Sequence, residues 1–188
     1  VALIYRKDRF RVLRDSVVNV SDSAEGFFTR DILVVEGVTD KGDTLCFVVN
    51  HWPSKKGGEE AEWRRVAIAA RLRSIMKELQ AKYPQGAVVA MGDMNSAVDE
   101  APMAVGMGFG DDSINSDGIR NLTLRLPEGW GSHKYQGQWD YIDQMLLLAG
   151  EDWLVGDIKL MRFDHLLTEE SKMPGVRPKR TNQGTRYE

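Results

Sequence analysis

Apolar residues fall in short runs whose spacing predicts most of the elements. Leu45-Cys46-Phe47-Val48-Val49 and Val88-Val89-Ala90-Met91 are unbroken apolar runs too short for helices, and read as buried strands. Between them, Glu59 to Tyr83 carries helical periodicity. Ala61, Ile68, Leu72, Ile75, Met76, Leu79 and Tyr83 share one stripe, with Ser74, Lys77, Glu78 and Ala81 opposite. Glycines 57 and 58 precede this helix, Glu59 and Glu60 suit its positive end, and Pro84 stops it. A strand-helix-strand crossover of this length makes its two strands parallel, with both C-terminal ends on one sheet edge.

Tyr141 to Leu148 is a further apolar strand, expected to run antiparallel and so to begin at that same edge. Shorter strands are expected at residues 2 to 5, 9 to 13, 30 to 38 and 158 to 162, with a short helix after Asp99 and a long irregular stretch from Gly106 to Gly137. The fold class is therefore α/β. With 188 residues, 42% of them hydrophobic, one substantial core and a single domain over 1–188 are expected.

The net charge of -3 argues against an all-over grip on a polyanion, which leaves local basic clusters. Lys55-Lys56 is one, and Arg177, Lys179, Arg180 and Arg186 stud the tail. Trp52, Trp139 and Tyr135 are either stacking surfaces for a base or packing residues beside strands. Cys46 is the sole cysteine and sits mid-strand, so it reads as a small buried hydrophobe, with no disulfide within the chain. No stretch is long enough to span a membrane, and the compartment is left open. There is no internal repeat, nucleophile elbow or Walker-type loop.

The chemistry-bearing residues stand where the strands end. The first crossover strand runs into Asn50-His51-Trp52-Pro53-Ser54 and the second into Gly92-Asp93-Met94-Asn95-Ser96, so His51, Asp93 and Asn95 are expected at one crevice. Alone, Asp93 would be a helix cap and Asn95 a turn residue. Convergence with a histidine at the edge where open α/β sheets bind ligands favours catalysis. Asp143, near the start of an apolar strand, would be costly as a buried unpaired carboxylate, so a partner at that edge is expected.

These residues carry a family resemblance. Thr29-Arg30-Asp31-Ile32-Leu33, Asn50-His51-Trp52-Pro53-Ser54, Gly92-Asp93-Met94-Asn95 and Tyr141-Ile142-Asp143-Gln144-Met145 occur in an order that resembles the endonuclease/exonuclease/phosphatase superfamily. That group includes pancreatic deoxyribonuclease, the abasic-site endonucleases, bacterial sphingomyelinases and inositol polyphosphate 5-phosphatases. The resemblance implies a four-layer sandwich of two mixed β-sheets flanked by helices, and divalent-metal-dependent phosphoester hydrolysis with magnesium or manganese. It implies that Asp93 activates the attacking water, that Asn95 joins it at phosphate and metal, and that His51 serves the phosphate or the leaving oxygen. Asp143 is implied to pair with a late histidine, and Arg30 to meet a substrate phosphate. Lys55 is a further candidate for steering phosphate.

The chain also departs from the superfamily pattern. Its members carry an earlier Glu that is the chief metal ligand and finish on a Ser-Asp-His strand. Neither is seen between Val1 and Glu188, so a fragment lacking both ends and with little activity of its own is expected. Asp164-His165 has the letters of the terminal pair but follows Phe163 and precedes Leu166, and reads as a surface loop. His133 reads as a loop residue, and Asp140 competes with Asp143 without an apolar strand behind it. The function expected is a phosphodiesterase or nuclease, acting as a monomer on nucleic acid or another phosphoester. The alternatives are a phosphomonoesterase, a sphingomyelinase-like enzyme, or a catalytically silent binding scaffold.

Overall fold

The computed structural model describes residues 1–179 except 22, 25, 111 and 172, so Arg180 and Arg186 lie outside the described residues. Six strands form one mixed sheet: β1 (Phe10–Val18), β2 (Ile32–Thr39), β3 (Thr44–His51), β4 (Ala87–Asp93), β5 (Arg120–Asn121) and, later in the chain, β8 (Asp143–Ala149). The spatial order is β1-β2-β3-β4-β8-β5, and only the β3–β4 pair is parallel. That pair is the one joined by the long helix α1 (Gly58–Lys82), as the crossover argument requires. Two two-stranded ladders, β6 (His133–Tyr135) with β7 (Gln138–Asp140) and β9 (Leu167–Glu169) with β10 (Val176–Pro178), hold the other strands among the described residues, rather than a second extended sheet. The chain is a mixed α/β fold, in agreement with the sequence.

The helix stripe is buried as expected. Ile68, Leu72, Ile75, Met76 and Leu79 pack with Cys46, Val48, Val88, Ala90, Leu146 and Leu148 on one side of the sheet, and Ala61 is buried as well. Arg65 interrupts the stripe; its guanidinium donates to the carbonyls of Ser54 (3.2 Å) and Pro53 (3.4 Å), and so clips the chain that leaves β3. Because strand residues alternate, the odd-numbered positions of β3, β4 and β8 face away from α1. At one end of that second face Ala87, Leu122 and Leu147 form a small core with Trp153, Val155 and Ile158.

Several strand expectations are corrected. Residues 2 to 5 form no strand: Ile4 is 96% exposed, and an apolar run without a neighbouring ladder has nothing to satisfy its backbone groups. Residues 158 to 162 likewise stay irregular, Ile158 packing through its side chain alone. The strand expected at 9 to 13 extends to Val18 because it pairs along the length of β2. The short helix after Asp99 is a five-residue π-helical turn, Pro102–Gly106. It sits so close to α1 that a Cβ on Gly106 would fall 2.6 Å from that of Ala69. Cys46 is fully buried, and burial foremost, with the Glu36 carboxylate second, pushes its thiol up to about 11.

Candidate functional site

Strand register decides which side chains meet. His51 of β3 lies opposite Asp93 of β4, and Asp93 lies opposite Asp143 of β8, so the three occupy one rung across adjacent strands on the face away from α1. The row ends the sheet: the amide of Trp52 donates to the Asp93 carbonyl (2.9 Å) and that of Met94 to the Ile142 carbonyl (2.9 Å), after which the strands part. His51 Nε2 stands 3.7 Å from Asp93 Oδ2, with both side chains partly open to solvent.

The Gly92-Asp93-Met94-Asn95 segment is shaped by its neighbours. Gly92 has φ of 128°, and a Cβ there would lie 2.1 Å from the Asn50 carbonyl oxygen, so the close approach of β3 admits only glycine. Met94 is fully buried and anchors the turn. Asn95 adopts φ of 47°, a left-handed conformation that asparagine tolerates, and its amide donates to Asp93 Oδ1 (2.9 Å). Asn95 Nδ2 donates to the Trp52 carbonyl (2.9 Å), which leaves Oδ1 without a hydrogen-bond partner among the described residues.

The loop after His51 is equally fixed. Trp52 is 1% exposed and its indole donates to Asn50 Oδ1 (3.1 Å); truncating such a residue costs about 3–5 kcal/mol. Its burial removes Trp52 as a stacking surface. Lys55 meets Glu100 at 2.5 Å, and Glu100 also accepts from the Ala97 amide (3.0 Å). The lysine expected to steer phosphate thus also ties the two loops that border the row.

Asp93 is the electrostatic centre. Burial foremost, with the Asp143 carboxylate adding to it, raises the Asp93 carboxyl above its ordinary value; the hydrogen bond from Asn95 and the imidazoles of His51 and His133 pull the other way. Asp143 is exposed, so burial does not force a partner on it, and the reasoning that gave it one is corrected. Its amide, with that of Ile142, donates to Ser132 Oγ (3.1 and 3.2 Å).

Of the other candidates, Arg30 is exposed just before β2. Since Leu33 pairs with Val49, Arg30 reaches the sheet edge that carries His51, though no contact joins it to the row among the described residues. Asp164-His165 lies in an exposed turn, with His165 stacked on Phe163 (5.6 Å). Asp140 lies on β7 opposite His133. Sequence reasoning missed Ser132 and undervalued His133, because their approach to the row depends on how the β6–β7 hairpin folds back. Gln144 was also missed: it is buried on the helix side and donates to the carbonyls of Tyr141 (2.7 Å) and Ser96 (2.9 Å), joining the start of β8 to the Asn95 turn.

Oxygen donors of the kind a hard cation takes occur along this edge: the Asp93 and Asp143 carboxylates, opposite each other in register, and the Oδ1 of Asn95 two residues beyond Asp93. Two carboxylates on one rung, with no side-chain cation bonded between them among the described residues, are oxygen atoms of the kind a divalent ion takes. Among the described residues no group of three or more His, Cys, Asp or Glu side chains is gathered for a metal. No helix among them is long and apolar enough to cross a membrane.

The comparisons with known proteins agree with the fold. Solved structures with the same fold include truncated Caenorhabditis elegans TDP2 (19% identity, TM-score 0.54, covering 76% of this chain and 54% of that one). Another is D. rerio TDP2 complexed with single strand DNA product (16%, 0.58, 80% and 58%). A third is a Bacteroides thetaiotaomicron mannosyl-6-phosphatase (17%, 0.50, 76% and 54%). The chain thus spans little more than half the length of these structures. No curated protein matches its sequence. The model of the Endonuclease/Exonuclease/phosphatase family matches residues 1–188, and the chain belongs to that family of phosphoester hydrolases.

Proposed function

We propose that this protein is a divalent-metal-dependent phosphodiesterase acting on nucleic acid, with Asp93 as the group that takes the proton of the attacking water. The observation that carries this reading is the single rung of His51, Asp93 and Asp143, in which a carboxylate with a raised pKa sits between an imidazole and a second carboxylate. A general base is most effective when its pKa lies toward the working pH, and burial moves Asp93 in that direction. Water attacks phosphorus in line, its proton passes to Asp93, and the bond to the leaving oxygen breaks. His51, on the solvent-open side of Asp93, hydrogen-bonds the phosphate or that leaving oxygen. Arg30 approaches the same edge with a planar fork suited to phosphate oxygens.

Asp93 and Asn95, through its Oδ1, would hold magnesium or manganese, which neutralises charge on the non-bridging oxygens when bound. Asn95 is positioned for this by the hydrogen bond from its Nδ2 to Trp52. Nucleic acid is favoured over a compact phosphoester because a solved structure of the same fold, D. rerio TDP2, was captured with a single strand DNA product.

The test is hydrolysis by the full-length protein of single-stranded DNA, duplex DNA, RNA, sphingomyelin and an inositol phosphate, with magnesium and then with excess chelator. Turnover of a nucleic acid that needs magnesium and falls at least about a hundredfold in Asp93→Asn is expected. Full activity in chelator, or an unimpaired Asp93→Asn variant, would overturn the reading.

A further inference from the structure

Beside the catalytic row lies a cavity of about 640 Å³ between the β6–β7 and β9–β10 ladders, walled by Ser132, His133 and Tyr135 on one side and Arg177, Pro178 and Lys179 on the other. Its size falls in the range of sites that hold a nucleotide-sized ligand. It also adjoins the row. Ser132, at its mouth, accepts the amide hydrogen of Asp143, and the neighbouring His133 lies near enough for its charge to act on Asp93.

The charges lining the cavity separate into two kinds. Lys134 is 4% exposed and is consumed internally, by Glu170 (3.0 Å) and by the carbonyls of Pro174 (3.0 Å) and Val176 (3.2 Å). That cluster pins the two ladders together and cancels its own charge. Arg177 and Lys179 make no ion pair among the described residues, so the wall keeps two uncompensated cations in a chain whose net charge is -3. A guanidinium and an ammonium that line one wall without an ion-pair partner give that wall a positive potential, which favours an anion there. Opposite them, the 64% exposed Tyr135 ring is stacked on His133 at 6.4 Å and 17°, an open aromatic face of the kind on which a base lies.

The geometry points to a second anion subsite in this cavity, which takes the phosphate and base of the neighbouring nucleotide when the scissile phosphate sits at Asp93. Its ligand is a single nucleic-acid strand: Arg177 and Lys179 meet the phosphate, and Tyr135 stacks the base. This rests on the reading of the Asp93 row as the reacting centre and deepens it, since a compact phosphoester leaves the cavity unused. A strand also explains a cationic wall confined to one side of an acidic protein, because only the segment beside the reacting phosphate needs one.

The experiment measures binding of a fluorescently labelled oligothymidylate by anisotropy, with turnover of that oligomer and of bis(p-nitrophenyl) phosphate, for the protein and its Arg177→Ala/Lys179→Ala variant. Binding is expected to weaken at least tenfold and its salt dependence to flatten by about 0.7 in log–log slope, the share of one single-strand phosphate contact. The oligomer-to-small-substrate ratio of kcat/KM is expected to fall at least tenfold. The charge-preserving Arg177→Lys/Lys179→Arg variant should recover most of the binding, which a loss caused by misfolding would not show. Unchanged oligomer binding and an unchanged ratio in the alanine variant overturn the subsite. A protein that binds the oligomer through Arg177 and Lys179 yet hydrolyses neither substrate would instead overturn the hydrolase reading and leave the subsite standing.

Discussion

Two carboxylates on the same sheet contrast a structural acid with the acid proposed for chemistry. Glu36 lies on β2 facing α1, and Asp93 ends β4 on the opposite face, about five rungs or roughly 16 Å further along the strands. Glu36 is 5% exposed and accepts from the Tyr83 hydroxyl (2.7 Å) and from Lys82. Burial pushes its carboxyl up, but those hydrogen bonds and the charges of Lys82 and Arg14 more than offset this and hold it below its ordinary value. Asp93 shifts the other way: burial is the largest cause, the carboxylate across the rung adds to it, and the hydrogen bond from Asn95 and the nearby imidazoles do not offset them. Where the fold neutralises an acid it gains stability; where it sets two acids together it keeps a place for an outside cation or proton.

The largest contrast should appear when each acid is replaced by its amide. Asp93→Asn is expected to cost at least about a hundredfold in turnover, measured as kcat with magnesium. In chelator the same variant should unfold at a higher temperature than the parent at neutral pH. The sign follows from linkage: a folded pKa above the ordinary 3.8 means that ionising Asp93 costs stability as pH rises through the folded value. That gain should vanish below the ordinary value, where both states are protonated. A variant no more stable than the parent at neutral pH would remove the case for Asp93 as a strained base.

Glu36→Gln should do the reverse, leaving activity intact and lowering stability by about 1–3 kcal/mol, the range for hydrogen bonds to a charged group. Urea unfolding at neutral pH measures it. The pH signature is also inverted. With its folded pKa below 4.5, Glu36 contributes stability that is present above that value and lost as pH falls through the folded one. The parent should therefore weaken on acidification by more than Glu36→Gln does, and parallel curves for the two would show that the Glu36 cluster is not a stabilising one.

A subtler probe acts on Asp93 through its neighbour. Asp143→Asn removes the like charge from the rung, so the Asp93 carboxyl should titrate lower than in the parent. The Asp93 side-chain resonance, followed by NMR in chelator, reports the shift. An unmoved titration would mean that solvent screens the two carboxylates from each other.

The site acid was readable from sequence and the structural acid was not, for a physical reason. His51 and Asp93 each end an apolar run, and a crossover of known handedness brings such ends together whatever the details. The start of β8 at the same edge follows from its antiparallel direction, which placed Asp143 even though the argument from burial failed. The α1 stripe followed from period alone, but not Arg65 within it, whose task is to hold the carbonyls of a distant loop. Glu36 reads in sequence as a break in Val34-Val35-Glu36-Gly37-Val38, and nothing local announces that Lys82 and Tyr83 arrive over it at the end of a 25-residue helix. The Lys55 pairing was equally hidden, since Glu100 reaches it across the sheet edge. Motifs made by chain direction are visible in sequence; pairings made by packing are not.

The smallest effect isolates one hydrogen bond within the Glu36 cluster. Tyr83→Phe keeps the ring, which is partly buried against the helix-side core, and deletes only the hydroxyl that donates to Glu36. Lys82 still meets the carboxylate, so no buried acid is left without a partner. The expected loss is about 1 kcal/mol, below that for Glu36→Gln. Because the hydroxyl helps hold Glu36 below its ordinary value, the acid-side fall in stability should begin at a higher pH than in the parent. Urea unfolding at pH 7 and near pH 4 measures both. An equal loss at the two pH values would mean that the hydroxyl supports packing alone, and that Lys82 by itself makes Glu36 the contrast to Asp93.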